Sequence, residues 1–408
     1  MVVLLLLFFI VYGVHVTPVV AAETESATGN KPLRAKFLPP DGQRLLILGQ
    51  DLESVQGYVH SGRFPQPAGI TTYFSIYHVR NPKKDYGGMG LDNDLKPNGK
   101  NAGWWDAGIY NAWTSAVDYP NAVLAIGMEL AEEQAENGLA RLLAGAFDPE
   151  IQKVAGFLKK VNKPVFLRIG YEFDGAWNGG YQHAARYAAA WRKIVDDLRA
   201  AGVTNTAYVW QSSTSPADDS IEGRFEPDLS IWYPGDSYVD WIGCSWFLRL
   251  DESGSHPKAT KTQRDLLEQL FAFARAKGKP VLIAEAAPQG YFIEAKKNAN
   301  IGAVIDGPSG ENVVPKDAET IWREWYQPFF DYVGANADIV RGVAYINCYW
   351  DRQGMWGPPY TSGLWGDSRI EADPRITALW LKAIKQPVWL HGGPALFTAL
   401  GYEGLHLK

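Results

Sequence analysis

Eight short apolar runs alternate with amphipathic helical segments in this chain, and this alternation constrains the fold more than any other sequence feature. The runs are rich in Val, Ile, Leu and aromatic residues and carry few polar side chains, as parallel strands covered on both faces must. They are Leu45 to Leu48, Gly69 to Ile76, Ala122 to Met128, Val165 to Tyr171, Thr206 to Gln211, Val239 to Phe247, Val281 to Ala286 and Gly342 to Tyr349. Eight βα units close most economically into one barrel, so the sequence predicts a single (β/α)8 barrel.

Helical periodicity is clearest between Tyr181 and Ala201, where apolar residues recur every three or four positions and Gly202 follows as a C-cap. Comparable patterns occupy Gln152 to Val161, Gln263 to Lys277, Ala318 to Val333 and Pro374 to Ile384. We expect each helix to pack beside a strand. An open doubly wound sheet is the alternative fold, but no dinucleotide-binding or P-loop motif follows any of the runs.

The two ends of the chain differ from the barrel in composition. Residues 1–22 are an apolar run followed by small residues, which predicts a signal peptide and an extracellular or periplasmic protein. Because no Lys or Arg precedes the run, an uncleaved membrane anchor stays open as an alternative. We expect a polar segment over 23–40, a catalytic barrel over 41–385 and a tail over 386–408 that packs on the barrel. After cleavage we expect a monomer without membrane contact.

Charge and composition narrow the classes of partner. A formal net charge of −6 provides no basic footprint for nucleic acid. Sixteen Trp and twenty Tyr exceed the needs of core packing, and sugars commonly stack on such rings, although a dense aromatic core is the alternative. The seven His show no metal-ligand spacing, so we expect no metal and no cofactor.

The two cysteines, Cys244 and Cys348, fall on strands six and eight, where they form either a disulfide or two buried thiols.

Two glutamates stand at the ends of apolar strands. The fourth run carries Arg168, Glu172 and Asp174 at even spacing, so strand alternation points all three the same way. Glu285 ends the seventh run. An isolated carboxylate there would be costly to bury, but two could meet across the mouth of one barrel, as a two-carboxylate glycosidase requires. A structural Arg–Glu pair is the simpler alternative, and spacing alone does not assign roles to the two glutamates.

The chain resembles glycoside hydrolase family 26 of clan A from about Leu45 to Ile384, with specific motifs only around strands four to eight. They are Leu167-Arg-Ile-Gly-Tyr-Glu-Phe-Asp-Gly-Ala-Trp-Asn178, Trp232-Tyr-Pro-Gly-Asp-Ser-Tyr-Val-Asp-Trp-Ile-Gly243 and Lys279-Pro-Val-Leu-Ile-Ala-Glu285. The resemblance implies a secreted retaining endo-β-glycanase for a plant or algal cell-wall polysaccharide, with Glu172 as acid/base and Glu285 as nucleophile. Tyr171 stands where mannanases of the family usually carry His, and this stretch is closer to the β-1,3-xylanase type. β-1,3-Xylan, mannan and β-glucan all stay open as substrates.

Further residues are candidates for substrate contact. Clan A enzymes place an aromatic platform after strand eight, which implies that role for Trp350. Arg168, Tyr171 and Trp246 would support the carboxylates, and Asn178, Gln211 and Asn347 could bind sugar hydroxyls. Aromatic side chains in loops or at strand ends could line sugar subsites. These are Trp104, Trp105, Trp177, Trp210, Trp246, Trp356 and Trp365. A non-catalytic carbohydrate-binding barrel and a metal-dependent barrel hydrolase are the rival functions.

Overall fold

Eight parallel strands close into a barrel, which confirms the predicted fold. In the computed structural model the barrel strands β1 to β8 are Arg44–Gly49, Gly69–Ser75, Val123–Glu129, Val165–Ile169, Thr206–Ser212, Trp241–Trp246, Val281–Ala286 and Val340–Ile346. Each pairs with the next, and β8 pairs with β1 from Leu45↔Gly342 to Gly49↔Ile346, which closes the ring. All eight predicted runs contain a barrel strand, with ends that shift by up to three residues.

The structure describes residues 32–90, 108–130, 137–175, 177–178, 181, 183–216, 228–253, 261–298, 313–354, 356 and 365–404. The predicted signal peptide lies outside these residues. Among the described residues, every helix is too short or too polar to span a membrane.

Helices surround the barrel, and four of the longer ones lie where the amphipathic patterns predicted them: Asp148–Val161, Ala184–Ala200, Gln263–Lys277 and Pro374–Ile384. The sequence analysis did not predict the helix Leu52–His60. Shorter helices are Ala112–Asp118, Gly138–Leu143 and Leu396–Ala399. The predicted helix from Ala318 extends to Ala335, with a π-helical turn at Trp322–Tyr326. A separate antiparallel sheet joins Tyr291–Phe292, Lys297–Asn298 and Val314–Pro315.

Alternation along the strands divides the apolar core into two layers. One layer fills the barrel interior and includes Ile47, Phe166, Val209 and Leu282. The other lies between the strands and the helices, and it includes Trp210, the neighbour of Val209. The layer to which a strand residue belongs therefore decides whether its side chain can reach the barrel mouth.

The segments on either side of the barrel sequence close its amino-terminal end. Phe37 is buried and contacts the rings of Phe166 and Tyr402 edge-on. In the tail, Trp389–Leu390 pairs in parallel with the start of β1, and Leu396 joins the interior cluster. This end of the barrel is packed with side chains, so the opposite end, at the carboxyl ends of the strands, is left for the site.

Candidate active site

A tight turn after β4 presents Glu172 at the carboxyl end of the barrel. Gly170 has φ 50°, and a Cβ there would lie 2.8 Å from the ring of Tyr187, so the position requires glycine. Glu172 itself has φ 52°, a region that non-glycine residues occupy only under support from their surroundings. The support is present because Asn178 donates to the carbonyl of Glu172 at 2.6 Å, and the amide of Phe173 donates to the carbonyl of Gln211.

A β-bulge in β7 aims Glu285 into the same mouth. Leu282 and Ala284 belong to the interior cluster, so strict alternation would turn Glu285 outward. The register with β6 shifts between Cys244↔Ile283 and Ser245↔Glu285, and this extra residue turns two consecutive side chains inward. As a result, Glu285 points inward and reaches Arg168, even though its direct neighbour Ala284 also points inward.

Arg168 is fully buried and holds Glu285 in place. Its Nη1 lies 2.5 Å from Oε1 of Glu285 and donates to Gln211 at 3.0 Å, while Nη2 donates to Thr71 at 3.2 Å. Its guanidinium also packs on the ring of Tyr73, 4.7 Å from the centroid. A buried charge with this many partners is oriented before any ligand arrives.

Gln211 and Ser245 connect the two glutamates. The Oγ of Ser245 donates to Oε1 of Glu172 at 2.6 Å and accepts from Nε2 of Gln211 at 3.0 Å. The same Nε2 lies 3.4 Å from Oε1 of Glu285. The two carboxylates therefore belong to one hydrogen-bonded network at the mouth of the barrel.

The electrostatic environment of Glu172 favours its protonated form. Burial is the largest effect that raises the pKa of Glu172 well above the ordinary value of a glutamate, and the charge of Glu285 raises it further. The hydrogen bond from Ser245 and the charge of Arg168 act in the opposite direction. Arg168 places its cation directly against Glu285, so the two carboxyl groups have different surroundings. Two carboxyl groups in different surroundings can take different parts in one reaction.

Asp174 lies close to Glu172 and contacts the end of β5. Its carboxylate accepts from the Oγ of Ser212 at 2.5 Å and from the amide of Ser213 at 2.6 Å. Burial raises the pKa of Asp174, against these hydrogen bonds, and its negative charge adds to the shift of Glu172. Asp174 therefore belongs to the electrostatic surroundings of Glu172.

Tyrosine rings cover one side of the network. Tyr171 is half-buried, contacts Tyr73 edge-on, and lies 5.3 Å from the guanidinium of Arg168. Tyr110 contacts Tyr73 from another direction. In contrast, the side chain of Trp177 is 52% exposed, next to the turn that carries Glu172, and leaves an apolar ring open to a ligand.

Two predicted substrate contacts point elsewhere in the structure. Trp210 and Trp246 are buried in the outer layer, where Trp210 stacks on Phe173 and Trp246 packs on Phe329. Their direct neighbours Gln211 and Ser245 face the mouth, and adjacent strand residues face opposite ways. The expectation that these two rings contact sugar is therefore wrong. The side-chain nitrogen of Asn178 donates to the backbone that supports Glu172, and a contact between Asn178 and sugar stays a prediction.

Other candidates have different positions. Trp350 follows β8, is almost fully buried, and contacts Phe247 edge-on, so its role as a sugar platform stays a prediction. Trp104 and Trp105 lie outside the described residues. Asn347 is buried and donates to Glu371, away from the network.

Cys244 and Cys348 are both buried free thiols. Within the described ranges, no group of three His, Cys, Asp or Glu side chains is arranged to hold a metal ion.

Comparison with known proteins places this geometry in a family. A model of glycosyl hydrolase family 26 matches residues 104–303, which contain both glutamates. A β-1,3-xylanase from a Vibrio species is 32% identical over 368 residues, which cover 90% of this chain and 70% of the relative. The chain belongs to glycosyl hydrolase family 26. It is a glycoside hydrolase.

Other family members are similar to different degrees. A β-1,3-xylanase from an Alcaligenes species is 31% identical over 91% of this chain and 69% of its own length. The solved catalytic domain of an endo-β-1,4-mannanase from Bacillus sp. JAMB-750 is 15% identical, with a TM-score of 0.54 over 89% of this chain and 90% of that chain. The solved structure of a Cellulomonas fimi endo-β-1,4-mannanase double mutant is 14% identical to this chain. Its TM-score is 0.53, over 88% of this chain and 74% of that chain. The mannanases share the family barrel, whereas the xylanases are the more similar in sequence.

The sequence analysis of this family 26 member missed three side chains of the network. Thr71 and Tyr73 contact Arg168 from β2, and Ser245 bonds Glu172 directly from β6. A signal was available, because Ser245 is a polar residue in an otherwise apolar strand. Gln211 was noted only as a partner for sugar hydroxyls, although it contacts Arg168 and Glu285.

Proposed function

We propose that this protein is an exported retaining endo-β-1,3-xylanase, with Glu172 as acid/base and Glu285 as nucleophile. The observation that carries the proposal is the shared network of Glu172 and Glu285, in which burial favours a neutral Glu172 and Arg168 holds a cation against Glu285. Retaining hydrolysis needs this division between a protonated and an ionised carboxyl group.

In the first step the proton of Glu172 passes to the glycosidic oxygen as the C–O bond breaks. A carboxylate oxygen of Glu285 attacks the anomeric carbon and forms a covalent glycosyl-enzyme. The charge of Glu285 is lost in this bond, and with it one cause of the raised pKa of Glu172. Glu172 has lost its proton in the same step, and its lowered pKa keeps it ionised and therefore available as the base for the second step.

In the second step Glu172 takes a proton from a water molecule, whose oxygen attacks the same carbon. The bond to Glu285 breaks, the sugar leaves with its original anomeric configuration, and both carboxyl groups return to their starting states. Ser245 would hold the carboxyl of Glu172 in one orientation through both proton transfers.

The choice of β-1,3-xylan rests on the two relatives named β-1,3-xylanases, which are 32% and 31% identical to this chain. Tyr171 supports the choice, because it occupies the position before the proposed acid/base residue and lies over Arg168. Mannan and β-glucan are the competing substrates within the family.

A reducing-sugar assay over β-1,3-xylan, β-mannan, lichenan and laminarin tests the substrate. We expect release of reducing sugar from β-1,3-xylan well above that from the other three, and no release from β-1,3-xylan would contradict the proposal.

Glu285→Ala and Glu172→Ala should each lower kcat by about 10³-fold or more. Glu319→Ala is the matched control, because this glutamate is 55% exposed in a surface ion pair. Proton NMR of the first product then distinguishes retention from inversion.

Export and domain limits are part of the same proposal. A signal peptide over 1–22, a catalytic barrel over 41–385 and a tail over 386–408 would give a monomeric enzyme in the extracellular or periplasmic space. Amino-terminal sequencing of the mature protein, recovered from a secreting host, should begin near residue 22 or 23. Size-exclusion chromatography with light scattering checks the monomer.

A further inference from the structure

A cavity of about 540 Å³ opens near the amino-terminal ends of β2 and β3. Its walls are the last turns of the helix Leu52–His60, the residues that precede each strand, and Gly392 from the tail. Glu172 and Glu285 lie at the carboxyl ends of the strands. The cavity is therefore separate from the site described above, and no step of the proposed reaction uses it.

The tail completes this cavity through close backbone contacts. The amide of Gly392 donates to the carbonyl of Gln66 at 2.8 Å, and the amide of Gly393 lies 3.3 Å from the carbonyl of Asn121. A Cβ at Gly392 would lie 2.5 Å from the carbonyl oxygen of Pro67, so the approach is open only to glycine. The walls are thus fixed by backbone hydrogen bonds before any ligand arrives, and the tail gains a role beyond packing.

The side chains of the cavity are suited to a neutral, hydroxyl-rich ligand. Five polar residues line it, and all but the first of them are exposed: Gln56, His60, Gln66, Asp118 and Asn121. Amides, an imidazole and a carboxylate offer both donors and acceptors, as a set of sugar hydroxyls requires. No Lys or Arg belongs to the lining, which argues against an anionic ligand.

Apolar surface lies beside these polar groups. Val59, Tyr119 and Pro120 contribute it, and the polar and apolar parts together give the mixed lining that a sugar ring needs. The volume falls within the roughly 300–1,000 Å³ typical of small-molecule sites.

We propose that this cavity is a second saccharide-binding site, which holds a short stretch of the β-linked polysaccharide away from the catalytic carboxylates. The inference rests on the proposed function, because that function supplies the ligand. Attachment at two places on one protein would lengthen its residence on an insoluble polymer.

Calorimetric titration of β-1,3-xylotetraose into the full-length Glu285→Ala protein tests the second site. We expect two binding events, of which Gln56→Ala/Asn121→Ala in the same background removes one. Gln152→Ala is the matched control, since this glutamine is exposed on another helix, and it should retain both. A single event that the double variant leaves unchanged would overturn the proposal.

Adsorption to insoluble β-1,3-xylan gives an independent readout. In otherwise wild-type protein, Gln56→Ala/Asn121→Ala should lower adsorption by about threefold or more and leave kcat/KM on soluble β-1,3-xylotetraose unchanged within about twofold. Unchanged adsorption contradicts the second site and does not affect the proposed function. If wild-type protein releases no sugar from β-1,3-xylan, the proposed function fails, while the titration and adsorption still decide the cavity.

Discussion

Nη1 of Arg168 lies 2.5 Å from Oε1 of Glu285, and both side chains are buried. The contact joins β4 to β7 across the barrel mouth, and Gln211 extends it toward Ser245 and Glu172. A carboxylate held in this way keeps one orientation. The ion pair also creates a liability, because either partner alone would leave an uncompensated buried charge.

Arg168→Met should therefore damage activity and stability together. We expect kcat to fall by about 10²–10³-fold, since the variant loses preorganised charge at the reacting carboxylate. The free energy of unfolding should fall by about 3–5 kcal/mol, because Glu285 would stay buried without its partner. Urea unfolding and steady-state kinetics measure the two effects. Arg375→Ala breaks an exposed ion pair with Glu319 and should change stability by at most about 1 kcal/mol.

Ser245→Ala should move the alkaline limb of the pH–activity profile to higher pH. The hydroxyl of Ser245 donates to Glu172 and lowers its pKa, so its loss raises that pKa and keeps the acid protonated to higher pH. The measurement is kcat/KM against pH. Ser237→Ala changes an exposed serine away from the network and serves as the control. A limb that stays in place would show that Ser245 does not act on Glu172.

Asp174→Asn should move the same limb in the opposite direction. The negative charge of Asp174 raises the pKa of Glu172, so neutralising it lowers that pKa and the acid form is lost at lower pH. Asparagine keeps an oxygen that can accept from Ser212 or Ser213. The double variant with Ser245→Ala should lie between the two single variants. Shifts of the same sign in both single variants would contradict this electrostatic account.

Trp177→Ala should weaken substrate binding and leave the fold intact. The ring is 52% exposed beside the turn that carries Glu172, so its removal raises KM on polysaccharide and changes stability by about 0.5 kcal/mol or less. Trp246→Ala is the matched comparison, because this ring is buried between the barrel and its helices. Its loss should lower the free energy of unfolding by about 3–5 kcal/mol. An unchanged KM for Trp177→Ala would remove this residue from the substrate site.

Sequence patterns predicted the strands and most helices because their signals are local. The helix from Gln263 to Lys277 and the strand from Val281 to Ala286 have the predicted ends. The predicted fourth strand ran to Tyr171, whereas β4 ends at Ile169, since the positive φ of Gly170 takes the chain out of the ladder. The strand propensity of the neighbouring residues does not reveal such a turn. Only the glycine at position 170 indicates that the chain bends there.

Alternation could have corrected two of the aromatic predictions. Trp210 and Gln211 are neighbours on β5, as Ser245 and Trp246 are on β6, so regular alternation turns one member of each pair away from the mouth. What decides the direction is the position of Val209 in the barrel interior, which is a tertiary fact. Asn178 follows the same logic, because its partner is the carbonyl of Glu172, which is available only once the turn has formed.

By itself, the sequence determined the barrel, the strand ends that carry Glu172 and Glu285, and the inward direction of Arg168, since these depend on periodicity along one segment. Only the tertiary structure decided the direction of Glu285. Alternation from Ala284 would turn it outward, and the bulge that turns it inward is a register shift between β7 and its neighbours. Pairing register is a property of two strands together, so one strand's sequence does not specify it.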